Sequence, residues 1–506
     1  MPSMAGSALA VSMKAGLARF SHLARIVPGS RRLGGDAEIR GIACDSRRVT
    51  SGDLFVAIPG YDRDGRAYIK DAIARGAAAV VSEAPIPQIG VPRLEVPDAR
   101  EALALLARAL HGQPDEVLTM VGITGTNGKT TTALLLAAAC DAAGLSAGVV
   151  GTLGAGSGGV FTPGLHTTPE APDLYTALDN ILHAGHKAAI LEVSSHALAL
   201  KRVHGMKFDV AVFTNLTRDH LDFHKNMNQY FAAKARLFLG LPPHAAMAVN
   251  LDDPFGTRLI SPSRTRVVTY GRATRADVLP LELTTTIDGL RLKLRTPKGD
   301  VVVESALLGR TNVANIMAAI AAACALDLNL EDAAAGIHEV KLIPGRAERI
   351  DEGQEFLVLV DYAHTDDALI QILGSARELA AGRLLVVFGC GGDRDTSKRA
   401  LMGAAAARLA DMAFLTSDNP RSEDPLAILA QVETGFRGQN PAVAPVIEPD
   451  RTAAIRAAVA EARPGDVLVI AGKGHETRQI LADRNIPFDD REVARQALRD
   501  RLGKGA

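Results

Sequence analysis

The stretch that most narrows the fold lies at residues 116–144, "EVLTMVGITGTNGKTTTALLLAAACDAAG". An unbroken apolar run is followed at once by glycines at 122, 125 and 128, and then by an Ala/Leu-rich helical pattern that opens at Thr130. Apolar runs without alternation suit strands buried on both faces, and such strands need helices to cover them. The stretch therefore predicts an α/β domain with a largely parallel sheet.

The same turn carries chemistry. Backbone N–H groups of a glycine-rich loop can point at phosphate oxygens, and the helix start that follows favours an anion. Lys129 would reach the β- and γ-phosphates, and the Thr130 hydroxyl would sit on Mg²⁺. The strict Walker pattern needs glycine at 123, where Ile123 stands, so the shorter G-T-N-G-K-T form applies. Gly125, Thr126, Asn127, Gly128, Lys129, Thr130 and Thr131 are the candidate nucleotide-binding residues. The loop alone does not name a reaction, since a switch GTPase, a transporter ATPase, a kinase or a ligase could use it.

A chain of 506 residues suggests about three domains. Breakers in "HGQPDE" (111–116) and "LIPGRAERI" (342–350) divide it into 1–113, 114–343 and 344–506. The first piece is mixed α/β, and the other two read as doubly wound α/β domains. A net charge of −1, no Trp and 4% aromatics argue against a nucleic-acid partner. Cys44, Cys140, Cys324 and Cys390 are far apart with no C-x-x-C pair, which suits a reducing compartment. "MAGSALAVSM" lacks the basic start of a signal peptide. The longest apolar stretches, such as "ANIMAAIAAACAL", fall short of the ~20 residues of a membrane span and read as buried helix. A soluble cytoplasmic protein without membrane insertion is expected.

In the middle piece, "AAILEVSSHAL" ends a strand in Glu192, a natural Mg²⁺ ligand, followed by Ser194, Ser195 and His196. "FDVAVFTNLTRDHLDFH" repeats the design with Asn215, Asp219, His220, Asp222 and His224, and one imidazole there could hold a second divalent ion. "YFAAKARLF" (230–238) reads as an amphipathic helix on which Lys234 belongs to the solvated face.

The third piece repeats one design four times. "LVLVD" leads to Asp361 and His364, "LLVVF" to "GCGGDRD" with Arg394, "MAFLT" to "SDNPR", and "VLVIA" to "GKGHE" with Lys473, His475 and Glu476. Parallel strands would bring all four motifs to one edge, where open α/β sheets bind ligands. Arg394 and Arg421 suit bidentate capture of a carboxylate, and Glu476 could take an ammonium, so the rim suggests an amino-acid ligand.

These motifs together resemble the Mur ligases, ATP-dependent amide-bond-forming enzymes of peptidoglycan precursor synthesis. "CDSRRVTSGDLFVAIPG", "GTNGKTTT", "HTTPE", "EVSSHAL", "TNLTRDHLD", "YFAAKARLF", "GRTNVANIMAA", "DYAHTDDAL", "GCGGDRD", "DNPR" and "GKGHE" fall in the family's order over nearly the whole chain. The resemblance implies a mixed α/β N-terminal domain, a central P-loop ATPase-like domain and a C-terminal Rossmann-like domain. "DNPR" resembles the form found where meso-diaminopimelate is added to UDP-N-acetylmuramoyl-L-alanyl-D-glutamate.

Further roles follow only from that resemblance. Cys44, Ser46 and neighbours at 61–63 would bind the UDP end, and Thr167, Thr168, Ser194 and Arg202 the muramoyl dipeptide. Lys129 and Thr130 would hold ATP phosphates and Mg²⁺, with Glu192 and His220 as metal ligands. Lys234 would be carbamylated by CO₂ and become an anionic group of the metal site, against its solvated-face reading. Asn312, Asn315, Arg346 and Asp361 would contact adenine, phosphate and ribose. Arg394, Asp418, Asn419, Pro420, Arg421, Gly472 and Glu476 would form the diaminopimelate site. Closure between the nucleotide and amino-acid pieces is expected, and the enzyme is expected to be a monomer.

Three positions depart from the family pattern. His166 stands where Asn is expected, Leu200 where Gln often contacts substrate, and Asp366 where Pro is usual, near a turn by the nucleotide. Folylpolyglutamate synthase-like and lysine-adding ligases are disfavoured by "DNPR" and the "DSRRVTSGDLF" block. A nucleotide switch is disfavoured because no NKxD-type guanine motif is present.

Overall fold

The buried apolar runs become sheet interiors as their patterns predict. The structure, a computed structural model, describes residues 17–60, 64–85, 87, 89–164, 166–261, 263–439 and 444–503. Positions 61–63 and the N-terminal "MAGSALAVSM" therefore lie outside the described residues. The chain forms two units, Met1–Gly122 with Ser146–Asp209, and Ile123–Leu145 with Val210–Ala506.

In the first unit, among the described residues, a five-stranded sheet runs in the order Arg31–Leu33, Arg93–Glu95, Ala79–Ser82, Asp53–Ala57, Gly41–Ala43. All its pairings are parallel except that of Arg31–Leu33 with Arg93–Glu95. Asp98 caps the helix Ala99–Leu110 by accepting from the N–H groups of Arg100 and Glu101. The same unit pairs Ala188–Glu192 in parallel with Ala147–Gly151, and this ends the apolar run at Glu192.

In the second unit, Val210–Phe213, Ala246–Asn250 and Arg266–Tyr270 pair in parallel. The strand Thr119–Thr124 runs from the first unit into the second and delivers the glycine-rich loop to the helix Lys129–Ala142, one residue earlier than the pattern predicts. The Ala-rich helix Arg310–Ala325 is buried along most of its length, as read for "ANIMAAIAAACAL". No helix among the described residues is long and apolar enough to cross a membrane.

The last sheet, also in the second unit, has the order Glu348–Ile350, Leu357–Asp361, Val467–Ala471, Leu384–Phe388, Met412–Leu415, Val446–Ile447. Only the first pairing is antiparallel. Apolar side chains fill both faces: Leu359, Val386, Phe388 and Leu415 pack on one side, and Val358, Leu385, Val387 and Phe414 on the other. The strands end in "DYAH", "GCGGDRD", "SDNPR" and "GKGHE", so these motifs share one edge, as parallel pairing requires.

Candidate functional site

The glycine-rich loop is shaped by close approach. Gly128 takes φ +84° at the N-cap of Lys129–Ala142, and a Cβ there would lie 2.3 Å from Asn315 Oδ1. Only glycine adopts such a backbone without strain. Asn315 is buried and donates to Asn312 Oδ1 at 3.0 Å, while Asn312 donates to the Leu308 carbonyl. The two asparagines thus buttress the loop from the start of the helix Arg310–Ala325. Thr126 and Asn127 are tied to the next strand end: Asn127 N–H donates to Asn215 Oδ1, and Thr214 Oγ1 donates to the Asn127 carbonyl at 2.6 Å. No side chain caps this helix start.

Lys129 Nζ donates to the carbonyls of Gly125 and Thr126, each at 2.9 Å. Lys234 Nζ donates to the Gly125 carbonyl at 2.7 Å. The helix Met227–Leu239 buries Lys234, 1% exposed, which corrects its placement on a solvated face. Burial, and the Lys129 cation second, hold the Lys234 ammonium well below the usual lysine range. His220 lies edge-on to Tyr230, with Nε2 3.3 Å from Asp219. Burial lowers its pKa, against the opposing pull of Asp219.

Arg346 and Asp361 also face this loop region. Arg346 donates to Thr130 Oγ1 at 3.3 Å and lies over the Tyr362 ring. Both oxygens of Asp361 accept backbone N–H bonds, from Ala347 and Ala363, and burial raises its pKa. Asn127 Nδ2 donates to Asp367 Oδ2 at 3.0 Å, a contact that sequence patterns missed because Asp367 reads as an ordinary first-turn acid. Asp366 stands at the first position of the helix Asp366–Leu379, which Thr365 caps through its side chain. Proline suits that position too, so the departure leaves the turn intact and adds an Arg218 pairing at 3.9 Å.

On the rim, Asp418 and Asn419 are buried, Arg421 is half-buried and Arg394 is exposed. Arg421 Nη1 donates to the Gly392 carbonyl at 2.7 Å, and its backbone sits at φ +52°. Burial, then the nearby Arg394 cation, lowers its pKa. Asn419 Nδ2 donates to Glu476 Oε2 at 2.9 Å. Asp418 Oδ1 is buried and makes no hydrogen bond among the described residues, and the Lys473 ammonium lies 3.7 Å from it. Gly472 sits at φ +116°, a backbone that favours glycine, and a Cβ there would meet Asp418 Oδ2 at an ordinary contact distance of 3.7 Å. Pro420 is buried in the same turn. Sequence patterns also missed what holds this turn: the fully buried Arg399 donates twice to Glu423, at 2.8 and 2.9 Å. Arg451 likewise pairs with Asp490 with neither side chain exposed.

In the first unit the structure gathers Thr167, Thr168, Glu192, Ser194 and Arg202. Thr168 Oγ1 donates to the Glu192 carbonyl at 2.8 Å and accepts from Ser194 N–H at 3.0 Å, and Arg202 donates to the Thr168 carbonyl. Thr152 offers its N–H to one Glu192 oxygen and its hydroxyl to the other, and also meets Thr167. Thr152 carries no motif that marks it. Ser46 is buried in the turn Ser46–Arg48, whose Arg48 forms a bidentate pair with Asp173 at 2.8 and 2.6 Å. Burial pushes the Cys44 thiol up to about 11. His166 is exposed and Leu200 half-buried.

Comparisons with known proteins agree with one another. Residues 38–111 match the Mur ligase family catalytic domain, 123–323 the Mur ligase middle domain, and 345–474 the Mur ligase glutamate ligase domain. A UDP-N-acetylmuramoyl-L-alanyl-D-glutamate–2,6-diaminopimelate ligase of Solibacter usitatus is 51% identical, covering 91% of this chain and 94% of its own. The enzyme of that name from Geobacillus kaustophilus is 45% identical over 92% of this chain and 96% of its own. A solved structure bearing the same enzyme name superposes with a TM-score of 0.65 at 36% identity, covering 92% of this chain and 95% of that one. The chain belongs to the Mur ligase family.

Proposed function

We propose that the protein is an ATP-dependent, ADP-forming amide ligase that adds meso-diaminopimelate to UDP-N-acetylmuramoyl-L-alanyl-D-glutamate in peptidoglycan synthesis. The observation that carries the reading is the rim of the last sheet, where Asp418, Asn419, Arg421 and Glu476 converge. An amino acid with a second amino-carboxylate end meets cationic, anionic and amide groups together there. Named relatives of high identity bear the same activity in their names.

In this reading the dipeptide's γ-carboxylate attacks the γ-phosphorus of ATP, ADP leaves, and an acyl phosphate forms. The diaminopimelate amine then attacks the acyl carbon, the C–N bond forms, the acyl C–O bond breaks, and phosphate leaves with that oxygen while the nitrogen gives up a proton to solvent. Residues Gly125–Thr131 cradle the phosphates, and Lys129 swings from its carbonyl partners to the phosphate charge. Asn312, Asn315, Arg346 and Asp361 hold the nucleotide. Cys44 and Ser46 take the UDP end, and Thr167, Thr168, Ser194 and Arg202 the muramoyl dipeptide. Arg394, Asp418, Asn419, Pro420, Arg421, Gly472 and Glu476 bind diaminopimelate.

Thr130, Glu192, His220 and Lys234 are the proposed metal ligands. Mg²⁺ takes few protein groups and relies on phosphate oxygens, which suits a hydroxyl at the start of a loop-borne helix. When bound it neutralises charge on the phosphates. Lys234 suits carbamylation, because a buried amine held below its usual pKa is an uncharged nucleophile toward CO₂. Its nitrogen bonds to the CO₂ carbon and releases one proton, leaving an anion beside Lys129. The enzyme works in the cytoplasm as a monomer. An amino-acid panel decides the substrate: phosphate release with the muramoyl dipeptide should require meso-diaminopimelate and not L-lysine. ATP turnover indifferent to both acceptor and amino acid would sink the reading.

A further inference from the structure

The rim of the last sheet contains one cation with no role in the site described above. Lys473, in "GKGHE", has no exposed side-chain surface. Its Nζ donates to Asn419 Oδ1 at 3.0 Å and to Glu476 Oε2 at 2.9 Å, and lies 3.7 Å from Asp418 Oδ1. Three side chains assigned to the amino-acid ligand thus converge on a single ammonium.

We propose that Lys473 is the positioning residue that sets the geometry and charge of the amino-acid site, an inference that rests on the ligase reading. Two arguments carry it. The first concerns orientation. Asn419 Oδ1 accepts from Lys473 Nζ and from the Ile480 N–H at 3.0 Å, which fixes the amide so that Nδ2 points its hydrogens at Glu476. Gln479 Nε2 donates to the Asp418 carbonyl at 2.7 Å and holds the same turn from its backbone. Among the described residues, Asn419 Nδ2 and Lys473 Nζ both donate to Glu476 Oε2.

The second argument concerns charge. Asp418 and Glu476 are two carboxylates that face the same ammonium, and its positive charge offsets the repulsion between them. The buried ammonium lies 3.7 Å from Asp418 Oδ1 and 2.9 Å from Glu476 Oε2, so it holds both in place before the ligand arrives. The ligand's own ammonium is then received by carboxylates that are already aimed, while Arg421 is left to meet a carboxylate. Lys473 needs no contact with the ligand to do this.

The test compares Lys473→Met and Glu476→Gln, singly and together, in the full-length enzyme with ATP, muramoyl dipeptide and meso-diaminopimelate. Lys473→Met should raise the diaminopimelate KM roughly 10- to 100-fold, the range for losing a charged hydrogen bond, and leave the ATP KM in place. The double variant should lose less than the product of the two single losses, because both act through one carboxylate. The rise of melting temperature produced by diaminopimelate should shrink in Lys473→Met. Equal rises in both KM values, or independent effects in the double variant, would overturn the inference. If Lys473→Met does not fold, Lys473→Gln, which keeps a donor but not the charge, is held to the same comparison. A wild-type enzyme that ignores meso-diaminopimelate would instead bring down the ligase reading, and the inference with it.

Discussion

Lys129 and Lys234 place their ammonium groups on the same oxygen, the Gly125 carbonyl, at 2.9 and 2.7 Å. Two cations sharing one acceptor in a buried place is unfavourable unless one of them gives up its proton, and Lys234 is the more deeply buried. The packing thus favours the uncharged amine at Lys234, which is the form that the proposed reaction with CO₂ needs.

Labelling tests this directly. Enzyme equilibrated with ¹³C-bicarbonate should show a carbamate carbon resonance that is absent in Lys234→Met. The variant should lose at least about 100-fold in kcat, the scale of removing one electrostatic stabiliser from a transition state. A labelled resonance that persists in Lys234→Met would place the modification elsewhere.

The same lysine should leave a mark on stability. Its folded pKa lies below the unfolded value of about 10.4, so above the folded pKa the unfolded chain binds more protons and wild-type stability rises with pH toward that value. Lys234→Met lacks this slope. In CO₂-free buffer the variant's advantage in urea unfolding should be largest near neutral pH and shrink as pH approaches 10. Parallel stability curves for the two proteins would refute the assignment.

Gly128 should not tolerate a side chain. Gly128→Ala combines a left-handed backbone with a Cβ at 2.3 Å from Asn315 Oδ1. Strain of this kind costs about 1–3 kcal/mol. The ATP KM should rise by about tenfold or more, and a denaturation midpoint should fall with it. Calorimetric ADP titration reads the loss of affinity separately from the loss of stability.

Arg421→Ala should raise the diaminopimelate KM far more than the ATP KM. Arg421 reaches the Gly392 carbonyl and stands next to Arg394, away from the glycine-rich loop's own bonds. Steady-state kinetics with each substrate varied in turn checks it, and equal effects would remove Arg421 from the amino-acid site.

Asp366→Pro should be close to silent. The residue occupies the first turn behind the Thr365 cap, and its Arg218 pairing is long at 3.9 Å and partly exposed. Stability should move by less than about 0.5 kcal/mol in chemical denaturation.

How far the residues could be read without coordinates depended on whether their signal was local. The parallel sheet and its polar rim were readable because apolar runs and strand-end motifs are contiguous in sequence. The glycine-rich loop was readable for the same reason. Lys234 was not: its helix pattern allowed a solvated face, and its ammonium is held by the distant Gly125 as well as by the Tyr230 ring one turn back on its own helix. Thr152, Arg399 and Asp490 carry no pattern at all, since each acts through partners remote in sequence, among them Glu192, Glu423 and Arg451. Resemblance to a family supplied the role expected of Lys234, and the structure shows its burial and its lowered pKa.

The rim of the last sheet also bears on how such an enzyme diversifies. The residues proposed to contact the amino acid sit on loops, while strand register is held behind them by backbone bonds and two apolar faces. A lineage can therefore rewrite the turn at 418–421 without renegotiating the sheet. The changes it cannot make freely are those at Arg399, Glu423 and Lys473, which brace the turn from beneath. Selectivity can drift by small steps across evolution, provided the bracing stays in place.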